Sequence, residues 1–157
     1  MPPDDQPTRV FDILFHCEYF YFLENLDLLC DGAIYPLDGL PTDGEKLPLP
    51  TAEELIEGLK YYIREARSYG YKVYVGTLLP IEGWRTYAPF REEIRHAFNE
   101  WIRTTDLIDG CIDFDKAVCD PERPTRFLPE YDSGDHLHPS KAGYKRMADI
   151  VPDELLR

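Results

Sequence analysis

Serine is scarce in this chain: Ser68, Ser133 and Ser140 are its only three in 157 residues, so any serine-based chemistry has few possible seats. Basic residues are also few, 17 against 30 acidic ones, for a formal net charge of -13. Nucleic acid and anionic membrane surfaces would be repelled, and neither is expected as a partner. A neutral ester or sugar meets no such barrier. No apolar run reaches the roughly 20 residues that a membrane-spanning helix needs. The opening Met1-Pro-Pro-Asp-Asp-Gln-Pro7 is polar and acidic, the wrong composition for a secretory signal peptide, so the location is left unknown, cytoplasmic only for the chain as it stands. Cys17, Cys30, Cys111 and Cys119 form no Cys-x-x-Cys pair, which argues against a zinc site. Four cysteines leave disulfides open but are too few for a disulfide-built scaffold. There is no internal repeat and no low-complexity tract.

What is present reads as one globular domain, 43% hydrophobic and 13% aromatic. Residues 1–17 are expected to be a partly disordered lead-in, and residues 18–157 the domain. Glu18 to Leu23 is a continuous aromatic run, the pattern of a strand buried on both faces. Residues 30–50 are rich in proline and glycine and read as a long surface loop. Thr51-Ala-Glu-Glu54 is a capping box, and Leu55, Leu59, Ile63 and Ala66 then form one helical stripe that Gly70 ends. Tyr71 to Gly76 reads as a second strand, followed by a loop holding Glu82-Gly-Trp-Arg85. Pro89 opens a helix whose stripe is Phe90, Ile94, Ala97, Phe98 and Trp101. Asp109 to Phe114 reads as a third strand, and Arg123 to Tyr131 as loop. A last helix opens at Ser140, buries Tyr144, Met147 and Ala148, and stops at Pro152. This alternation implies an α/β fold, three layers around a parallel sheet, with the site at the carboxyl ends of the strands.

The chemistry gathers in Asp132-Ser-Gly-Asp-His-Leu-His-Pro-Ser-Lys-Ala-Gly-Tyr-Lys-Arg-Met-Ala148. Asp135 and His138 stand three apart on a tight turn, stiffened by Pro139 and followed by a helix that Ser140 can cap. A carboxylate that takes the proton of one ring nitrogen fixes the tautomer and leaves the other nitrogen free as a general base. The plainer alternative is that Asp135 caps a turn and His138 merely precedes the helix. Asp135, His136 and His138 also have metal-ligating side chains, but the sequence indicates no further ligand, and no metal is expected. Asp113-Phe-Asp115 reads as a strand-end cap in preference to a calcium site. Trp84 is either a core residue or a substrate-edge residue that stacks on a sugar ring.

The stretch Asp132–Ala148 resembles the last block of the SGNH (GDSL-type) hydrolases, and from about Glu18 to Val151 the order of elements is similar to the later part of that family's fold. The resemblance implies a flavodoxin-like α/β/α sandwich whose first strands are missing here, as in a truncated member. It implies hydrolysis of acyl esters, often acetyl groups on carbohydrate, by a Ser-His-Asp route without cofactor or metal. His138 would be the general base and Asp135 its orienting carboxylate.

Two family features are altered. Leu23-Glu-Asn-Leu-Asp-Leu28 stands where the family reads Leu-Glu-Gly-x-Asn-Asp. Gapless alignment sets Asn25 at the glycine and Asp27 at the asparagine, whereas a one-residue deletion brings Asn25 nearer the asparagine. Asn25 is therefore either an oxyanion donor or a turn residue. The family's Gly-Asp-Ser nucleophile block is absent. Ser68 falls at a helix end, Ser140 serves as a cap, and Ser133 is too close to Asp135 in sequence to reach His138 in attack geometry. Cys30 has nothing nearby in sequence to lower its pKa. The nucleophile is not identifiable, and the chain by itself is expected to lack serine-dependent esterase activity. The rival readings are a non-catalytic binding domain and the truncated product of a longer esterase gene. A parallel sheet without its first strand exposes an edge, which invites self-association.

Overall fold

The computed structural model describes residues 50–85 and 87–155. The first described helix, α1 (Ala52–Ser68), begins where the capping box places it. Glu54 N–H donates to Thr51 Oγ1 at 3.2 Å, and Thr51 N–H donates to the Glu54 carboxylate at 2.8 Å. Leu55, Leu59, Ile63 and Ala66 are all buried, as their spacing predicts. They meet Val73, Val75, Phe98 and Ile102 to form the core. Each large aliphatic side chain so buried contributes roughly 1.5–3 kcal/mol.

Strand β1 (Tyr74–Gly76) pairs in parallel with β2 (Gly110–Ile112), and α2 (Pro89–Thr104) connects them. Tyr74 stands opposite Gly110 and Gly76 opposite Ile112. The fold is α/β with a parallel sheet, as the alternation of elements implies. Both strands of this parallel pair are shorter than expected from sequence. The strand expected at Glu18–Leu23, the lead-in over residues 1–17, the loop over residues 30–49, and Asn25, Asp27 and Cys30 all lie outside the described residues.

Three expectations need correction. The stripe assigned to α2 is turned: Phe98 and Ile102 are buried, but so are Arg91, Arg95 and Asn99, while Phe90 and Ala97 are exposed. The last helix, α4 (Lys141–Asp149), buries Gly143, with Met147 only half-buried and Tyr144 and Ala148 exposed. The segment read as loop contains a strand. A short helix, α3 (Phe114–Val118), leads into β3 (Cys119–Asp120), which pairs antiparallel with β4 (Arg123–Phe127), and a 3-10 turn at Pro129–Tyr131 follows. The Arg123-Pro-Thr-Arg-Phe run has no apolar alternation, so the period that marks a strand is missing from it.

A buried polar network ties the carboxyl ends of β1 and β2 together. Thr77 Oγ1 donates to Asp113 Oδ1 at 3.2 Å and accepts from Asp115 N–H at 2.9 Å. Arg103 donates to both Asp113 oxygens at 2.8 Å and to Asp115 at 2.7 Å. Arg95 donates to Asp115 and to the Leu78 carbonyl, and Asn99 holds Leu78 through both its N–H and its carbonyl. Asp113 also caps α3 by accepting from Lys116 N–H. The cations beside Asp113 and Asp115 are Arg95, Arg103 and, at 3.3 Å from Asp113, Lys116 of this chain.

Partial burial alone would raise the Asp113 pKa, but Arg103 and the Lys116 N–H outweigh it and hold the pKa at about 2. A carboxylate depressed in the folded state stabilises the fold above its unfolded pKa, near 4, and loses that contribution as pH falls toward 2. Urea midpoints are therefore expected to stay level from neutral pH to about 4 and then fall. Asp113→Asn should remove part of that acid slope. An unchanged slope in the variant would show that Arg103 does not set the Asp113 proton affinity.

Candidate active site

The loop from Asp132 to Pro139 is closed on itself before α4 begins. Asp132 and Pro139 form a bridge, Ser133 N–H donates to the His138 carbonyl at 3.0 Å, and Ser140 N–H to the Tyr131 carbonyl at 2.7 Å. Gly143 lets α4 sit close beneath it, because a Cβ there would lie 2.6 Å from the Tyr131 carbonyl oxygen. Ser140 Oγ accepts from Gly143 N–H and donates to the Glu130 carbonyl, which fixes the helix start.

Inside the loop Asp135 is bound to His138 through both ring and backbone. Asp135 Oδ2 is 2.7 Å from His138 Nδ1, while Oδ1 accepts from the N–H groups of Leu137 and His138 and from the Ser133 hydroxyl. The backbone N–H of His138 and its ring hold the Asp135 carboxyl well below the usual carboxylate range. Asp135 is ionised at neutral pH and accepts the Nδ1 proton. That leaves His138 Nε2 unprotonated in the neutral ring, and among the described residues Nε2 has no hydrogen-bond partner. The His138 side chain is 62% exposed.

A second aspartate–histidine pair stands beside the first, and sequence reasoning missed it. Asp132 Oδ2 is 2.5 Å from His136 Nδ1, and Oδ1 accepts from Gly134 N–H and His136 N–H. Partial burial opposes ionisation of Asp132, but those donors lower its pKa overall. His136 takes φ 64, a left-handed conformation that side chains rarely adopt, and Asp132 grips it there. The four-residue spacing of Asp132 and His136, overlapping the three-residue spacing of Asp135 and His138, was the available signal.

Gly83, the neighbour of Trp84 in the chain, is brought against this loop. Gly83, at φ 108, lies so close to the His136 ring that a Cβ would stand 2.8 Å from its Cγ. Glu82 anchors the same segment: its N–H donates to the Thr125 carbonyl, and its carboxylate takes Arg126 and the Thr125 hydroxyl. Gly83→Ala would meet both the strained φ and a ring that Asp132 holds, so a loss of about 1–3 kcal/mol is expected. Thermal unfolding checks it; a variant as stable as the parent would remove the packing argument. Arg85 lies over the Trp84 ring at 4.9 Å from its centroid, so Trp84 is neither plain core nor an open stacking platform.

Each serine hydroxyl is engaged. Ser68 donates to the Glu65 carbonyl, Ser133 to Asp135 and Ser140 to the Glu130 carbonyl. Cys111 and Cys119 are free thiols, and burial pushes both up, away from the reactive thiolate. Among the described residues no group of three or more metal-ligating side chains converges, and no helix is long and apolar enough to cross a membrane.

The sequence pattern of the GDSL-like lipase/acylhydrolase family matches residues 36–146, which takes in Asp135 and His138. The chain belongs to that family. Solved structures with a similar fold include a GDSL-like lipase from Bacteroides thetaiotaomicron, at 19% identity and a TM-score of 0.54, over 71% of this chain and 56% of that one. Another, from Desulfitobacterium hafniense and described as a lipolytic protein of the G-D-S-L family, has 21% identity and a TM-score of 0.52, over 80% of this chain and 72% of that one. The chain thus spans little more than half of the Bacteroides lipase, and at these identities the likeness is one of fold. No curated protein sequence matches this one.

Proposed function

We propose that this GDSL-like domain carries the acid–base half of an ester-hydrolysing site for short acyl esters, acetyl on carbohydrate being the class the family resemblance suggests. His138 is the general base, Asp135 its orienting carboxylate, and the nucleophile is not among the three serines of this chain. The single observation that carries the reading is the 2.7 Å contact between Asp135 and His138 Nδ1, which leaves Nε2 free. The engaged state of Ser68, Ser133 and Ser140 supports its second half.

A base without its nucleophile can still act on water. The chain is expected to hydrolyse p-nitrophenyl acetate slowly, and His138→Ala should return the rate to that of buffer. Asp135→Asn should give most of the same loss, because an amide no longer holds the tautomer. A rate that survives His138→Ala would take the chemistry away from this loop, and a parent chain no faster than buffer would favour a non-catalytic binding domain.

A further inference from the structure

We infer that Arg85 is an anion-recognition residue at the edge of the Asp135–His138 loop, selecting molecules that carry a carboxylate or phosphate group beside the reacting part. The inference deepens the proposed function and rests on that reading only for where an ester would lie. Three observations lead to it. The Glu82–Arg85 segment touches the loop directly, with Gly83 against the His136 ring, two residues from His138. Arg85 lies over the Trp84 ring, 4.9 Å from its centroid, which restrains its side chain. Among the described residues, which hold 20 of the chain's 30 acidic residues, no carboxylate pairs with Arg85.

The neighbouring arginines make the contrast. Arg123 and Arg126 both pair with Glu82, at 3.3 and 2.7 Å, and share that one carboxylate while they fix the loop. No carboxylate among the described residues takes up the charge of Arg85 or its fork of donors. A guanidinium matches a carboxylate or phosphate through two parallel hydrogen bonds, and holding it against an aromatic ring lowers the entropy lost when it binds. The net charge of -13 would repel an anion at long range, but at physiological salt that repulsion is screened beyond about 8 Å. Recognition is therefore short-range.

The test measures binding, so it stands apart from whether the chain hydrolyses esters. The labelled chain is titrated, with amide and indole resonances followed by NMR, using galacturonate, a hexose phosphate and neutral methyl galactoside. At least one of the two anions is expected to bind about tenfold more tightly than the galactoside, the scale of one exposed charge-assisted contact. Which anion does so identifies the group recognised. Arg85→Gln should erase the preference while leaving galactoside binding unchanged, and Arg85→Lys should restore only part of it. Equal binding of all three probes, no binding of either anion, or a preference that survives Arg85→Gln would each overturn the assignment.

Discussion

A serine-directed fluorophosphonate is expected to leave this chain unlabelled, and its turnover of p-nitrophenyl acetate should lie about a millionfold below that of a complete Ser-His-Asp site. The size of the deficit follows from how the three groups act as a unit. On the proposed reading the base has only water to activate, and any residual acceleration would come from binding and from His138 itself. The serines present are poor substitutes. Ser133 donates to the very carboxylate that orients His138, so using it as a nucleophile would undo the pair. Ser140 both caps α4 and bonds Glu130, and its removal would loosen the loop's exit. Intact mass after labelling reads the result directly. Stoichiometric addition mapped to Ser133 or Ser140 would show that the loop rearranges to present that hydroxyl.

The site was legible in sequence to different depths. The Asp135–His138 turn is a local device: three residues, a proline and a cap determine it, so the string alone announces it. The same holds for α1, where capping box and stripe depend only on near neighbours. What stayed hidden depends on distant partners. Gly83 against His136 joins positions more than fifty apart, and Glu82 joins β4 through Thr125 and Arg126. The face of α2 was misjudged for a related reason. A hydrophobic stripe finds the apolar part of a buried face, but Arg91, Arg95 and Asn99 belong to that face too. Arg95 and Asn99 are buried because polar partners at Leu78 and Asp115 receive them.

Those buried arginines set up the largest expected loss of stability. Asp115 is 8% exposed and receives Arg95 and Arg103, each at 2.7 Å. Asp115→Ala would leave both guanidiniums short of a counter-charge in surroundings that water hardly reaches. Removing one partner of a buried ion pair typically costs about 3–5 kcal/mol, because the remaining charge stays desolvated. The lower end is expected here, since Glu92 still pairs with Arg95 and Asp113 with Arg103. By contrast, Lys145→Ala breaks an exposed pair with Asp149 and should move stability by less than about 1 kcal/mol. The damage should also reach the site, because Arg95 holds the Leu78 carbonyl at the root of the segment that runs on to Gly83 and Trp84. Urea unfolding of both variants measures the difference, and the chemical shift of the Trp84 indole N–H reports whether the loop has moved. An Asp115→Ala chain as stable as Lys145→Ala would mean that Arg95 and Arg103 find other partners or water, and that the network does not hold the strand ends together.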